Sequence, residues 1–257
     1  MKKKKIKNPM IRRIPKELIG DWKKYLVVFL FLVLTIGFVS GMYVANESMI
    51  TSANEGVTKY KQEDGHFELK KQADATLLSA IETGEKADFK ATKTTLYENF
   101  FRNEEEDYNN DGKKDGTIRV FAKTKDINLA CMLQGSFPQK ADEIAIDRMH
   151  ADNVGIKVGD TVTVSGETYK VVGLLAYVNY STLHEKTTDL MFDALKFDVA
   201  MVTQDGFDRL HKSIHYTYAW KYETEPADEA GEKTRSDNFM RALLTQVVVA
   251  DNELEDY

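Results

Sequence analysis

The longest unbroken apolar stretch in the chain is residues 25–45 (YLVVFLFLVLTIGFVSGMYVA), 21 positions without a charged side chain. At 1.5 Å rise per residue a helix of that length reaches about 31 Å, which matches a bilayer hydrocarbon core of roughly 30 Å. The pattern predicts one transmembrane helix. A cleaved signal peptide is the alternative, but its apolar core runs only about 7 to 15 residues, and Val39-Ser40-Gly41 is a poor small-x-small cleavage site. Within the stretch, Gly37 and Gly41 form a G-x-x-x-G pair with Ser40 beside it. That spacing predicts a face on which a second membrane helix packs closely.

Beyond the apolar stretch the period changes. Met49, Ile50, Ala53, Val57 and Tyr60 recur at steps of three and four through polar sequence, so the helix is expected to continue outward over residues 46–62 as a stalk. Glu63-Asp64-Gly65 supplies the turn that is expected to end it.

The remaining sequence alternates between periods of two and 3.6. Strands are expected over 66–69, 94–101, 117–122, 144–147, 161–165, 169–176, 197–203 and 216–223, and helices over 73–83, 204–212 and 228–245. Strand 117–122 is expected to form a hairpin with 94–101, and the polar segment 102–116 between them reads as a loop. The fold class is therefore α+β, behind a transmembrane helix and helical stalk.

Charge gives the predicted helix a direction. Residues 1–24 carry ten basic side chains against Glu17 and Asp21, whereas the rest of the chain has 25 basic and 39 acidic residues, a formal charge of −14. The positive-inside rule puts the N-terminus in the cytoplasm and the acidic portion outside the cell membrane. So acidic an outer portion predicts no nucleic-acid partner. Ile11, Ile14, Leu18, Trp22 and Tyr25 lie at helical steps, with Pro15 suited to a first turn. This basic segment reads either as an amphipathic helix on the inner leaflet, with Trp22 and Tyr25 as interfacial anchors, or as an unstructured leader. The single cysteine, Cys131, cannot form an intramolecular disulfide, and its apolar neighbours predict a buried small hydrophobe.

Catalytic and cofactor motifs are few. Gly231-Glu232-Lys233-Thr234 lacks the upstream glycine of a phosphate-binding loop, so ATP hydrolysis is expected in a separate subunit. His211 and His215 are one helical turn apart, but Lys212 stands where a zinc protease needs glutamate, and His184-Glu185 has Thr188 in place of a second histidine. No cofactor is expected. Asp107, Asn109, Asp111 and Asp115, with Gly112, resemble the start of a calcium loop, yet Ile118 occupies the position of the bidentate carboxylate. A weak calcium site and a solvated hairpin loop both remain open readings.

One block carries a family resemblance. Gly135-Ser136-Phe137-Pro138, Asp142-Glu143-Ile144-Ala145-Ile146, Ala151, Gly155-Ile156-Lys157-Val158-Gly159-Asp160-Thr161-Val162 and Tyr169-Lys170-Val171-Val172-Gly173-Leu174 together resemble the extracytoplasmic core domain of MacB/FtsX-type ABC transporter permeases. The order of basic segment, membrane helix and stalk over residues 1–62 is similar to that family too. Within the block, Gly155 and Gly159 suit tight turns, Asp160 suits a cap, and Val162, Val164 and Val171 are spaced to line one face of a β-unit. The resemblance implies a cytoplasmic segment 1–24, a membrane helix 25–45, a stalk 46–62 and an extracytoplasmic core domain 63–257. Within that domain it implies an α/β lobe from 63–125 and 197–250, with an inserted β-rich lobe at 126–196.

The implied function is that of a non-enzymatic permease subunit coupling a cytoplasmic ABC ATPase to the outer domain, for export or mechanotransmission. Its partners would be that ATPase, the lipid bilayer, and the remaining permease helices or a second permease copy. No second apolar segment occurs before Tyr257, so the sequence reads as the N-terminal part of such a permease. The other reading is a single-pass anchored binding or sensory protein without transport activity.

Overall fold

The computed structural model describes residues 13, 19–83, 94–180, 182–186, 188–224 and 226–256. Ile11, Ile14, Pro15 and Leu18 of the expected amphipathic helix lie outside the described residues. The chain divides into two units, Met1–Asn54 and Glu55–Tyr257.

Helix α1 (Trp22–Thr58) contains the whole apolar stretch. Among the described residues it is the one helix long and apolar enough to cross a membrane, with a mean hydropathy of 2.4 over its most apolar window and none of that window buried. Trp22 and Tyr25 are both exposed near its start. A side chain added at Gly37 or Gly41 would meet nothing within 4 Å, so both present open backbone. The helix ends at Thr58, earlier than the Glu63-Asp64-Gly65 turn expected to stop it. Lys61 adopts a left-handed conformation, φ 50°, while the Tyr60 and Lys61 carbonyls accept from the Leu129 and Asn128 amides at 2.8 and 3.1 Å. These long-range backbone bonds replace further helical ones.

The second unit holds two sheets. The first is antiparallel, in the order β11 (Leu254–Asp256), β1 (Gly65–Leu69), β10 (Tyr216–Tyr222), β2 (Thr94–Glu98). Period-two alternation divides its faces. Phe67, Leu69, Tyr218, Trp220 and Tyr222 turn to one side, where Leu77 and Ile81 of α2 (Ala75–Thr83) join the same apolar core. The long terminal helix, α5 (Glu229–Val249), adds Phe239, Leu243 and Val247 to that core. Phe67 stacks on Tyr218 with centroids 5.5 Å apart, and Trp220 lies 4.4 Å from Phe239. Gly65 is required by close approach, because a Cβ there would sit 2.2 Å from the Trp220 indole.

The second sheet runs β5 (Cys131–Gly135), β8 (Glu167–Ala176), β6 (Glu143–Asp147), β9 (Phe197–Val202), β4 (Gly116–Ala122), β3 (Phe101–Asp107), β7 (Thr161–Val164), and β7 pairs back to β8. That last pairing closes six strands into a ring. One edge of β8 meets β6, and the other meets β7 through residues 167–170 and β5 through residues 173–176. The β4–β9 and β6–β8 pairs are parallel and the rest antiparallel. Inside the ring, Ile118, Val120, Ile144, Ile146, Val162, Val164, Val171, Ala200 and Val202 form a core sealed by α3 (Arg148–Val154) and α4 (Gln204–Asp208). The opposite faces of the same strands, with Phe101, Phe121, Ala145, Val199 and Met201, form a separate core.

The signature block falls where its turns are needed. Gly155 ends α3 at φ 85°, Gly159 has φ 105°, and the Asp160 carboxylate accepts from the Lys157 amide at 2.9 Å. Val162, Val164 and Val171 do line one face.

Several expectations change. Segment 102–116 was expected as a loop, but β3 occupies Phe101–Asp107, and β4 pairs with β3 rather than β2. The run Arg102-Asn-Glu-Glu-Glu-Asp107 has no apolar alternation, because Glu104 and Glu106 point into the ring where apolar residues were expected. The expected lobe boundaries at 125/126 and 196/197 do not separate the sheets, since β3, β4 and β9 join the strands of the inserted block. A parallel β4–β9 pair, formed between segments about 80 positions apart, draws them together. Helix 204–212 stops at Asp208, helix 228–245 continues to Val249, and β5 and β11 were not foreseen.

Candidate functional site

The two sheets face each other across an open cleft of about 670 Å³. Alternation decides what lines it. With Phe67 and Leu69 turned to the helices, β1 presents His66 and Glu68 to the cleft, and β10 presents Thr217. From the ring, β3 contributes Phe101 and Asn103, and their direct cross-strand partners on β4, Phe121 and Arg119, complete the opposite wall. The segment Asn179, Tyr180, Thr182, His184, Glu185 and Lys186 closes a third side.

Arg119 is the centre of that wall. Its Nε donates to Asn103 at 3.0 Å, Nη1 to the Tyr180 hydroxyl at 2.9 Å, and Nη2 to the Glu185 carbonyl at 2.8 Å. The guanidinium lies over the Phe101 ring at 4.2 Å, a cation–π placement that holds the planar group fixed. Burial pushes the Tyr180 phenol upward in pKa, against the opposing pull of Arg119.

Two acid–imidazole pairs face it. His66 Nδ1 and Glu63 are 2.8 Å apart, and the hydrogen bond from Glu63 raises the imidazole above its ordinary value. Glu63 is held in turn by Asn128, whose side chain accepts from the Glu63 amide at 3.0 Å and donates to its carboxylate. Glu68 and His215 Nδ1 are 2.6 Å apart. Burial would raise the Glu68 carboxyl, but the hydrogen bond and charge of His215 overcome that and hold it low. The His215 ring also stacks on Phe101 at 4.6 Å, with 7° between planes. Glu255 of β11 brings a further carboxylate close to Glu68 and His215. The cleft therefore carries one fixed cation and several carboxylates on rigid strands, an arrangement suited to recognising a polar ligand.

The residues singled out from sequence are dispersed. Asp107, Asn109, Asp111 and Asp115 do converge, but on their own backbone: the Asp111 and Gly112 amides donate to Asp107 at 3.1 and 2.8 Å, and the Tyr108 amide donates to Asp115 at 3.2 Å. His211 and His215 lie past the end of α4, not on one helical face. Cys131 is half-buried rather than buried, and its Sγ accepts from the Tyr60 hydroxyl at 2.9 Å. Glu68, Arg119 and Glu255 were not singled out, and His215 was weighed only as a partner of His211; residues 68 and 255 meet only through sheet pairing. Arg119 alone left a signal, as a charge inside the strand-like run Thr-Ile-Arg-Val-Phe-Ala.

No protein-family model and no curated protein matches the sequence. Among solved structures, the chain is similar to the extracellular domain of the noncanonic ABC-type transporter YknZ from Gram-positive bacteria, with 14% identity, TM-score 0.35, and coverage of 70% of this chain and 94% of that one. It is similar to the periplasmic region of MacB from Actinobacillus actinomycetemcomitans, with 9% identity, TM-score 0.38 and coverage of 74% and 88%. A domain of a putative permease protein from Porphyromonas gingivalis is similar at 10% identity, TM-score 0.33 and coverage of 68% and 84%.

Proposed function

We propose that this chain is the N-terminal part of a MacB/FtsX-type ABC permease. Its outer unit is read as an extracytoplasmic recognition module and its apolar helix as a membrane anchor with the N-terminus in the cytoplasm. The observation that carries this reading is the order of parts: a 37-residue helix containing a membrane-length apolar stretch leads into a unit built around the Gly135 to Leu174 signature block. The basic residues before the helix support the orientation. ATP hydrolysis is assigned to a separate cytoplasmic subunit, and Gly37 and Gly41 to packing against another membrane helix.

The outer cleft would engage a polar, peptide-like envelope component, with Arg119 meeting a carboxylate or carbonyl and the acid–imidazole pairs meeting amides or cations. Co-purification of the full chain from its native membrane tests the reading, with mass spectrometry of what accompanies it. An ATP-binding subunit and a polypeptide with further membrane helices are expected. Recovery of neither, with a soluble ligand held in the cleft instead, would favour the anchored sensory reading, for which the size and polarity of the cleft are the specific support.

A further inference from the structure

Inside the closed sheet, three ionisable side chains meet with no solvent around them. Glu106 of β3 and Asp198 of β9 share strand parity with the interior residues of their strands, and His150 of α3 reaches between them; all three are 0% exposed. Glu106 Oε1 and Oε2, Asp198 Oδ2 and His150 Nε2 have no hydrogen-bond partner. The neighbouring Glu104 makes the contrast, because its carboxylate accepts from Ser165 and from the Lys212 amide. None of the described lysines or arginines forms an ion pair with Glu106 or Asp198; His150 is the group facing Glu106, 3.4 Å away. An unpaired buried carboxylate is costly, and here two point at the same small volume.

The atoms that do have partners are the ones a metal would leave behind. His150 Nδ1 lies 2.7 Å from the Ala194 carbonyl, so that nitrogen carries the proton and Nε2 presents its lone pair. Asp198 Oδ1 accepts from the Val199 and Asp147 amides at 2.7 and 3.2 Å, which leaves Oδ2 for one further ligand. Asp147 in turn caps α3 by accepting from the Met149 and His150 amides, fixing the turn that carries the imidazole. One ligand atom from each of the three lies within 4.8 Å of the others. The 3.4 Å His150–Glu106 separation equals the donor–donor edge of about 3.4 Å expected around a tetrahedral ion with bonds near 2.1 Å.

We propose that Glu106, His150 and Asp198 bind one divalent transition-metal ion of the zinc class as a structural site inside the closed sheet. Two carboxylates and a neutral imidazole neutralise such an ion, and one ligand atom from each residue satisfies three of the four orphaned atoms. One nitrogen with two acids suits zinc better than calcium, which takes six to eight oxygens. A second cleft of about 520 Å³ has Glu106, Asp107, Gly112, Lys212 and Ser165 in its lining, and the Glu106 carboxylate itself is buried from it. Without an ion, the cluster has to hold protons instead: burial opposes charge on His150, yet Asp198 and Glu106 push it up to about 9, and burial drives the Asp198 carboxyl well up.

The test uses the full chain in detergent, dialysed against a weak chelator. Elemental analysis by mass spectrometry is expected to give one zinc ion per chain, lost in Glu106→Gln and in a Glu106→Gln, His150→Gln, Asp198→Asn variant. It should be retained in Glu68→Gln, His215→Gln, which removes the other acid–imidazole cluster. A strong chelator should lower the melting temperature of the unsubstituted protein and added zinc restore it, and cobalt substitution should give visible d–d bands of a nitrogen–oxygen site. A metal-free protein that takes up no cobalt, and whose melting temperature is unmoved by chelator, would overturn the proposal in favour of a protonated cluster. An ion that survives the triple substitution, or is lost in the cleft variant, would overturn it as well. Because the unsubstituted protein supplies the cobalt and chelator readings, the proposal stays exposed even if a variant fails to fold.

Discussion

The four-stranded sheet and the closed ring solve the same problem with opposite chemistry. On the four-stranded sheet, Phe67, Tyr218 and Trp220 pack against Phe239 of α5, and the Tyr218 hydroxyl accepts from the Ala73 amide at 2.9 Å. The ring encloses mainly aliphatic residues, with Tyr169 and Phe207, and a Glu–His–Asp cluster. Among the described residues the aromatic core contains no cluster of buried ionisable groups, whereas the ring interior near α3 encloses three and must compensate them. The difference teaches that burial in this protein is of two kinds: one stabilises through apolar area, and the other specifies a ligand or a protonation state.

Substitutions at the aromatic layer should be the most damaging. Phe67→Ala removes a fully buried ring from a stacked group and is expected to cost about 3–5 kcal/mol in denaturant unfolding. A loss below about 1 kcal/mol would mean that the layer collapses around the gap. Gly65→Ala adds a methyl against Trp220 and should cost about 1–3 kcal/mol, with a shift in tryptophan fluorescence marking the displaced indole.

At the ring, Asp147→Ala removes the cap of α3 and should cost about 1 kcal/mol; unchanged stability would show that the amides at Met149 and His150 find other acceptors. The smallest effect concerns the cleft rim. Glu63 raises His66 above 6.5, so this pair contributes stability that is fully present below that value and is lost as pH rises through the higher folded pKa. In Glu63→Gln an NMR titration should find the His66 midpoint lowered, since burial then opposes its charge without the Glu63 hydrogen bond, and an unmoved midpoint would remove Glu63 as the cause.

How legible each region was in the sequence follows from these same contrasts. Helix α1 could be read from the length of its apolar stretch, and strands β1, β6, β8, β9 and β10 from period and composition, because each of these strands buries apolar residues at regular spacing. Strand β3 could not, since its inward positions Glu104 and Glu106 are acids, and a strand recognised by alternation disappears when its buried face is charged. Strand β5 likewise pairs through a bulge and leaves Leu133 exposed. The cleft was hidden for a different reason. His66 and Glu68 of β1, Arg119 and His215 come from three separate segments, and only Arg119, like Asp198 inside Phe-Asp-Val-Ala-Met-Val, stood out as a charge within an apolar strand.

By itself, the sequence determined the long apolar helix, the α+β alternation and the turn chemistry of the Gly155 to Gly166 block. Each depends on neighbours within a helical turn or a hairpin, where local sterics and periodicity decide. The tertiary structure alone decided that β4 lies parallel to β9 and that β7 closes on β8. It also decided that acids at 106 and 198 share a site with an imidazole at 150. Those pairings depend on the net cost of burying groups far apart in the chain, and the order of residues does not record that cost locally.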